Sequence, residues 1–286
     1  MRITRSKLSF LKTATRTLLF LLAALFIVSC STRETEILVF SKTKGFRHGS
    51  IETGVVALKK MGKETGFSVT ATEDAKYFEE DSLKQYATVV FLNTTKDILN
   101  DVQQADFERY IQAGGGFVGI HAATDTEYDW PWYTKLVGAV FDSHPRIQEA
   151  ELVIKEADHP TTKHLDSVWI KSDEWYNFKN INPDINVLIS VDEKSYEGGT
   201  NGNNHPISWY HEYDGGRAFY TEMGHTNETF ENPKFLQHLK GGIAYTMGNG
   251  TLDYDLATTD RVPPEDRFVK KVLDFNLNEP MELDEV

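Results

Sequence analysis

The sequence has one cysteine in 286 residues, which rules out an intrachain disulfide and any cysteine-built metal site. It contains no HExxH and no CxxC, and no Gly-Lys-Ser/Thr follows its triple glycine at 114–116. The zinc-protease, zinc-ribbon and P-loop chemistries therefore lack their motifs. Basic residues are scarce, 30 against 43 acidic, for a net charge of −13. Five of the basic residues and none of the acidic ones fall in residues 1–29, so the rest of the chain is more acidic still. Such a surface repels phosphate backbones and argues against a nucleic-acid partner. It suits a neutral substrate, such as a sugar, or a cationic one. Low-complexity blocks and internal repeats are also missing, as in an ordinary folded chain.

The apolar run at residues 18–28 is 11 residues long, too short to span a bilayer. It follows a basic stretch and leads into Ile27-Val28-Ser29-Cys30, which looks like a bacterial lipobox. The expectation is a signal peptide at 1–29, lipid on the sulfur of Cys30 and a short tether at 30–35. An uncleaved anchor and a plain signal peptide are the alternatives. Each puts the folded part outside the cytoplasm, in the cell envelope, and the lipid would hold it to a membrane. Ser31 in place of an aspartate resembles outer-membrane sorting.

Beyond the tether, short apolar runs alternate with helical patterns. Residues 36–40, 67–72, 87–92 and 117–120 read as strands, and 51–66, 81–86 and 101–113 as helices. Near-continuous apolar strands alternating with helices predict a mostly parallel sheet covered on both faces. The second half is less regular. Strands are expected near 146–155, 168–171, 186–191, 205–209 and 217–221, with an aromatic loop at 127–133 and a final helix at 232–247. Residues 249–286 are acidic and carry prolines, and read as a tail or linker in which only 268–277 suggests structure.

The central stretch is GGGFVGIHAATD, residues 114–125. A buried strand that stops beside small residues predicts a tight strand-to-helix turn, with His121 at the carboxyl edge of the sheet where α/β folds bind ligands. Other polar residues at predicted strand ends are His48, Asp125, Glu174, Tyr176, His205 and His225. A histidine beside a carboxylate suits proton transfer near neutral pH. The same set suits a divalent metal such as zinc, with His205 and His225 as candidate ligands. Trp130 and Trp132 flank Pro131 in a polar stretch and are candidate stacking surfaces for a sugar ring. His144, His159, His164, His211 and His238 are assigned no role.

Five blocks in order, KGFRH at 44–48, GGGFVGIHAATD, DEWY at 173–176, HPISW at 205–209 and GRAFY through Gly224-His225, resemble the ThuA (trehalose utilisation) family. The resemblance covers about 36–248. It implies a flavodoxin-like, class I glutamine amidotransferase-like three-layer α/β/α sandwich. Those amidotransferases carry a nucleophilic cysteine at the elbow; this chain has His121 there, so thiol-based transfer from glutamine is excluded. The resemblance also implies carbohydrate catabolism, including routes through 3-keto sugars. On that basis His121 and Glu174 are the expected catalytic pair, and His48, Asp125, Trp130, Tyr176, Trp209 and Arg217 the expected substrate contacts. Residues 261–283 resemble the segment that precedes a dehydrogenase propeller in fused proteins. The alternatives to an enzyme are thus a non-catalytic carbohydrate-binding lipoprotein and an accessory subunit of a sugar dehydrogenase.

Overall fold

Residues 35–262 are described by a computed structural model. The expected signal peptide, Cys30 and its tether through residue 34, and the 268–277 segment lie outside the described residues.

Strand β1 (Thr35–Phe40) is followed by helix α1 (Ile51–Thr65), β2 (Phe67–Thr72), the short α2 (Glu80–Leu83), β3 (Thr88–Leu92), α3 (Asp101–Gln112) and β4 (Gly116–Ile120). Helix α1 buries Ile51, Leu58 and Met61 and ends on Gly66, whose φ of 90° gives the left-handed cap. Helix α3 starts with a reciprocal capping box between Asn100 and Gln103. A 3₁₀ turn at His121–Asp125 leads to α4 (Pro131–Val137) and β5 (Val140–Ser143). Strands β6 (Gln148–Ile154), β7 (Val168–Asp173), β8 (Asn177–Lys179), β9 (Asn186–Val191), β10 (Pro206–Tyr213) and β11 (Gly216–Thr221) come next, then α5 (Asn227–Glu231) and α6 (Pro233–Met247).

Nine strands form one sheet in the order β2-β1-β3-β4-β11-β10-β9-β6-β7. The core, from β2 to β11, is parallel. From β11 outward each strand is antiparallel to its neighbour. In the parallel core, side chains alternate between two apolar layers. Leu38, Phe91 and Phe117 pack on one face with Phe107 of α3 and Leu136 of α4. Ile37, Val90 and Val118 pack on the other with Leu58 of α1 and Leu239 of α6. Burial on both faces is why these strands read as continuous apolar runs.

The register Leu92–Ile120–Thr221 ends β3, β4 and β11 at one level, with Phe40 of β1 one residue behind. The loops after these strands therefore share one rim. Ser50 donates to the Gly224 carbonyl at 2.8 Å, and Asn93 donates to Ser50 at 2.9 Å and to Gly224 at 3.2 Å. Those bonds tie the loops after β1, β3 and β11 together. In a flat sheet β7, four strands from β11, would lie ~19 Å away. Yet Asp173, its last residue, accepts from the backbone N–H groups of Gly224 at 3.1 Å and His225 at 3.2 Å. The antiparallel half must curl to bring its outer edge back over the rim.

Two expectations change here. The loop expected at 127–133 ends at Trp130: Pro131 is the first residue of α4, where its missing N–H costs nothing. And the stretch expected as a tail is held to α3 as far as it is described. Gln112 Oε1 accepts from the backbone of Thr258 at 2.9 Å and Thr259 at 3.0 Å, and Arg109 donates to the Thr259 carbonyl at 2.8 Å. No helix among the described residues is long and apolar enough to cross a membrane.

Candidate functional site

Four residues from four separate loops meet at the rim. His48 follows β1, His121 follows β4, Glu174 follows β7 and His225 follows β11. Each offers one donor atom, and these atoms all lie within 4.8 Å of one another. Three of the four are almost fully enclosed; His225 is 20% exposed at its side chain.

His121 sits at the elbow with φ of 48°, a left-handed conformation that a non-glycine residue adopts at a cost of about 1–2 kcal/mol. Opposite it, Gly224 has φ of 138°, and a Cβ there would come within 2.9 Å of Ile120. Both loops are thus shaped for close approach. His121 Nδ1 lies 2.7 Å from the Glu222 carbonyl, which can only accept, so Nδ1 carries the proton. Nε2 then holds a lone pair that faces the rim. His225 Nδ1 is 3.2 Å from that Nε2 and 3.0 Å from Glu174 Oε2, and His121 Nε2 is 3.5 Å from the same carboxylate oxygen. His48 closes the group edge-on, with ring centroids 4.8 Å from His121 and 5.1 Å from His225.

The electrostatics follow from burial and these contacts. Burial works to raise the Glu174 pKa, but the adjoining imidazoles of His121 and His225 hold it well below the ordinary carboxylate range. Burial opposes the charge on His225, yet Glu174 outweighs it and raises the imidazole pKa. Burial, reinforced by the neighbouring imidazoles, lowers that of His48 to about 2. Beneath the rim, burial lifts the Glu222 carboxyl well above its ordinary value; that carboxyl accepts the Tyr176 N–H.

Three residues that sequence reasoning passed over belong here. His144 follows β5, and the β5–β8 pairing brings its Nδ1 to 3.0 Å from Glu174 Oε1, with the side chain 44% exposed. Phe46, 65% exposed, sets its ring 4.9 Å from that of His48. Asp173, fully buried, holds the backbone of the His225 loop and pairs with Lys171 at 3.2 Å.

Several expected residues lie elsewhere or are otherwise engaged. His205 is not among the four that converge. Its Nε2 donates to the Tyr176 carbonyl at 2.7 Å and its Nδ1 meets Glu193 at 2.8 Å, so neither nitrogen is free to bind a metal. It instead supports the segment that carries Glu174. Arg217 is at the start of β11, the opposite end of the sheet, with its guanidinium against Gly248. Trp130 is 8% exposed, stacked on Tyr133 and bonded to Glu108 at 2.9 Å. Trp132 bonds Asp214, in the turn at that same far end. Trp209 is fully buried and donates to the Val137 carbonyl. No sugar can stack on Trp130 or Trp209 where they lie. Asp125 is engaged by Lys96 at 2.7 Å and by Tyr128. Tyr176 does reach the site: its buried ring lies 4.3 Å from that of His121.

The sheet, its two helical layers and the residue-bearing elbow define the class I glutamine amidotransferase-like class of α/β/α proteins, here with an imidazole at the elbow. Within that class, the sequence matches the model of the ThuA family, described as trehalose utilisation, over residues 36–246, and the chain belongs to that family. A ThuA-like protein from Bacteroides uniformis shares 25% identity at a TM-score of 0.65, covering 76% of this chain and 93% of its own. A ThuA-like protein from Parabacteroides merdae shares 21% identity at a TM-score of 0.63, covering 80% of this chain and 93% of its own. A cytoplasmic protein of Salmonella typhimurium LT2 shares the fold at 13% identity and a TM-score of 0.55, covering 74% of this chain and 99% of its own. No curated protein matches the sequence.

Proposed function

We propose that the rim cluster acts on a carbohydrate that carries a carbonyl group, such as a 3-keto disaccharide, by moving a proton beside that carbonyl. The observation that carries this reading is the triangle of His121 Nε2, Glu174 Oε2 and His225 Nδ1, with sides of 3.0, 3.2 and 3.5 Å. A ketone acidifies the neighbouring C–H, and removing that proton opens isomerisation, elimination and glycoside cleavage alike. His121 presents a lone pair, Glu174 is ionised, and His144 links the carboxylate to solvent. Phe46 offers an exposed apolar face beside His48 for the C–H face of a pyranose. The family's link to trehalose utilisation supports a sugar. We propose further that lipid on Cys30 keeps this chemistry at the envelope, which labelling with a radioactive fatty acid and a Cys30→Ala variant would test.

The full chain is to be mixed with 3-keto-trehalose in D₂O and followed by NMR. Consumption of the sugar, or deuterium appearing next to its carbonyl, is the expected result, and both should vanish in His121→Ala. Sugar that binds but neither exchanges nor disappears would make the protein a carbohydrate-binding one. Sugar that does not bind at all would end the reading.

A further inference from the structure

Resting on the rim as the reactive centre, we infer that His48, His121, Glu174 and His225 together hold one divalent metal ion of the zinc type. Zinc takes four N and O donors at about 2.0–2.1 Å, which sets neighbouring donors about 3.3 Å apart in a tetrahedron. Three of the donor atoms are already at that spacing, with edges of 3.0, 3.2 and 3.5 Å. His48 brings a fourth within 4.8 Å of the others. Closing that gap needs only a movement of His48.

Two further observations point the same way. His48 Nδ1 is buried without a hydrogen-bond partner, and an orphaned buried nitrogen calls for one. The other groups are braced from outside as metal ligands are. The Glu222 carbonyl fixes the His121 tautomer, the Asp173 carboxylate holds the His225 backbone, and His144 engages the far oxygen of Glu174. His164 and His211 also leave a buried Nδ1 unpartnered, so the orphan on His48 counts only because it stands beside converging donors; His238 is built differently. His238 has both nitrogens bonded, to the Thr161 carbonyl at 2.9 Å and the Ser208 hydroxyl at 2.9 Å. Three imidazoles and one carboxylate form a borderline donor set that selects zinc or cobalt over magnesium or calcium. When bound, the ion would supply an electrophile for the sugar carbonyl oxygen, taken as a fifth donor beside the four protein ligands. His121 then serves as a ligand, and His144, outside the donor set, remains to carry the proton.

The test uses the full chain, purified without a histidine tag, stripped with chelator and titrated with Zn²⁺, Co²⁺ or Mg²⁺. Elemental analysis should find about one zinc or cobalt per chain, and no magnesium, with the intense visible bands of four-coordinate cobalt. His225→Ala should weaken zinc by more than about 100-fold. Glu174→Gln keeps the side chain's volume, so it reports even where His121→Ala fails to fold; it should weaken zinc and move the cobalt bands. His159→Gln, outside the cluster, should change neither. Folded protein that takes up no zinc or cobalt, or takes up as much in Glu174→Gln and His225→Ala as in the parent, overturns the inference. Bound metal without action on the keto sugar leaves the centre standing and removes the carbohydrate reading. Turnover by metal-free protein does the reverse.

Discussion

At the rim, three imidazoles face one another across a single carboxylate. In the body of the protein, His205 and His238 each face a backbone carbonyl with one nitrogen and a side chain with the other. All five rings are largely withdrawn from water, so burial does not separate the two groups. The partners do. His205 and His238 are surrounded by groups that match them permanently, and their substitution costs stability. The rim histidines are turned toward each other, with one nitrogen orphaned and one backbone held left-handed. Such an arrangement is costly to the fold, and proteins retain costs of this kind at working sites.

The widest separation between the two regions should come from His121→Ala against His238→Ala. The first should lower turnover of a keto sugar by about 10³-fold or more, measured as kcat on protein whose circular dichroism is unchanged. The second should leave kcat of the folded fraction near the parent's and lower the melting temperature. Equal kcat losses would erase the distinction. Next is the pH dependence of stability. Burial lowers the His238 pKa to about 4 from its ordinary 6.5, against the pull of its bond to Thr161. Below pH 6.5 the unfolded chain takes up a proton that the folded ring refuses. This residue's contribution is therefore complete above that pH and is lost as pH falls toward 4, by about 3 kcal/mol in all. Urea midpoints measured across that range should show the slope in the parent and a shallower one in His238→Gln. Slightly smaller is His205→Ala, expected to cost about 2–3 kcal/mol because the Tyr176 carbonyl and Glu193 lose their partner. Since His205 braces the segment that carries Glu174, kcat should also fall modestly, which sharpens the line between holding a site and being part of it.

Much of the parallel core was legible because its strands are buried on both faces and read as apolar runs with abrupt ends. Those ends carry His48 and His121, so their convergence follows from topology. Glu174 and His225 also stand at strand ends, but that β7 returns to the rim depends on the curl of the antiparallel half. Curl and register arise from contacts distant in sequence and leave no local signal. His144 was missed for the same reason: its position comes from the pairing of β5 with β8. Arg217 was placed at the site although it opens β11, and a parallel strand points only its carboxyl end at the rim. Trp130 was misread through Pro131, which marks the start of a helix as readily as a loop.

The finest test compares the two aromatic residues that exchange roles between sequence and structure. Phe46 is 65% exposed and touches His48; Trp130 is 8% exposed and belongs to the layer around Phe107 and Tyr133. Removing a solvent-facing ring disturbs little packing, so Phe46→Ala should leave the melting temperature nearly unchanged. If that ring receives the sugar, the loss of stacking is worth about 1 kcal/mol, or about a five-fold rise in KM with kcat little altered. Trp130→Phe keeps most of the buried ring and removes only the bond to Glu108, for about 1 kcal/mol of stability and no change in KM. A KM that responds to Trp130 and ignores Phe46 would mean that sugar approaches from the far end of the sheet, and the rim would lose its claim to the substrate.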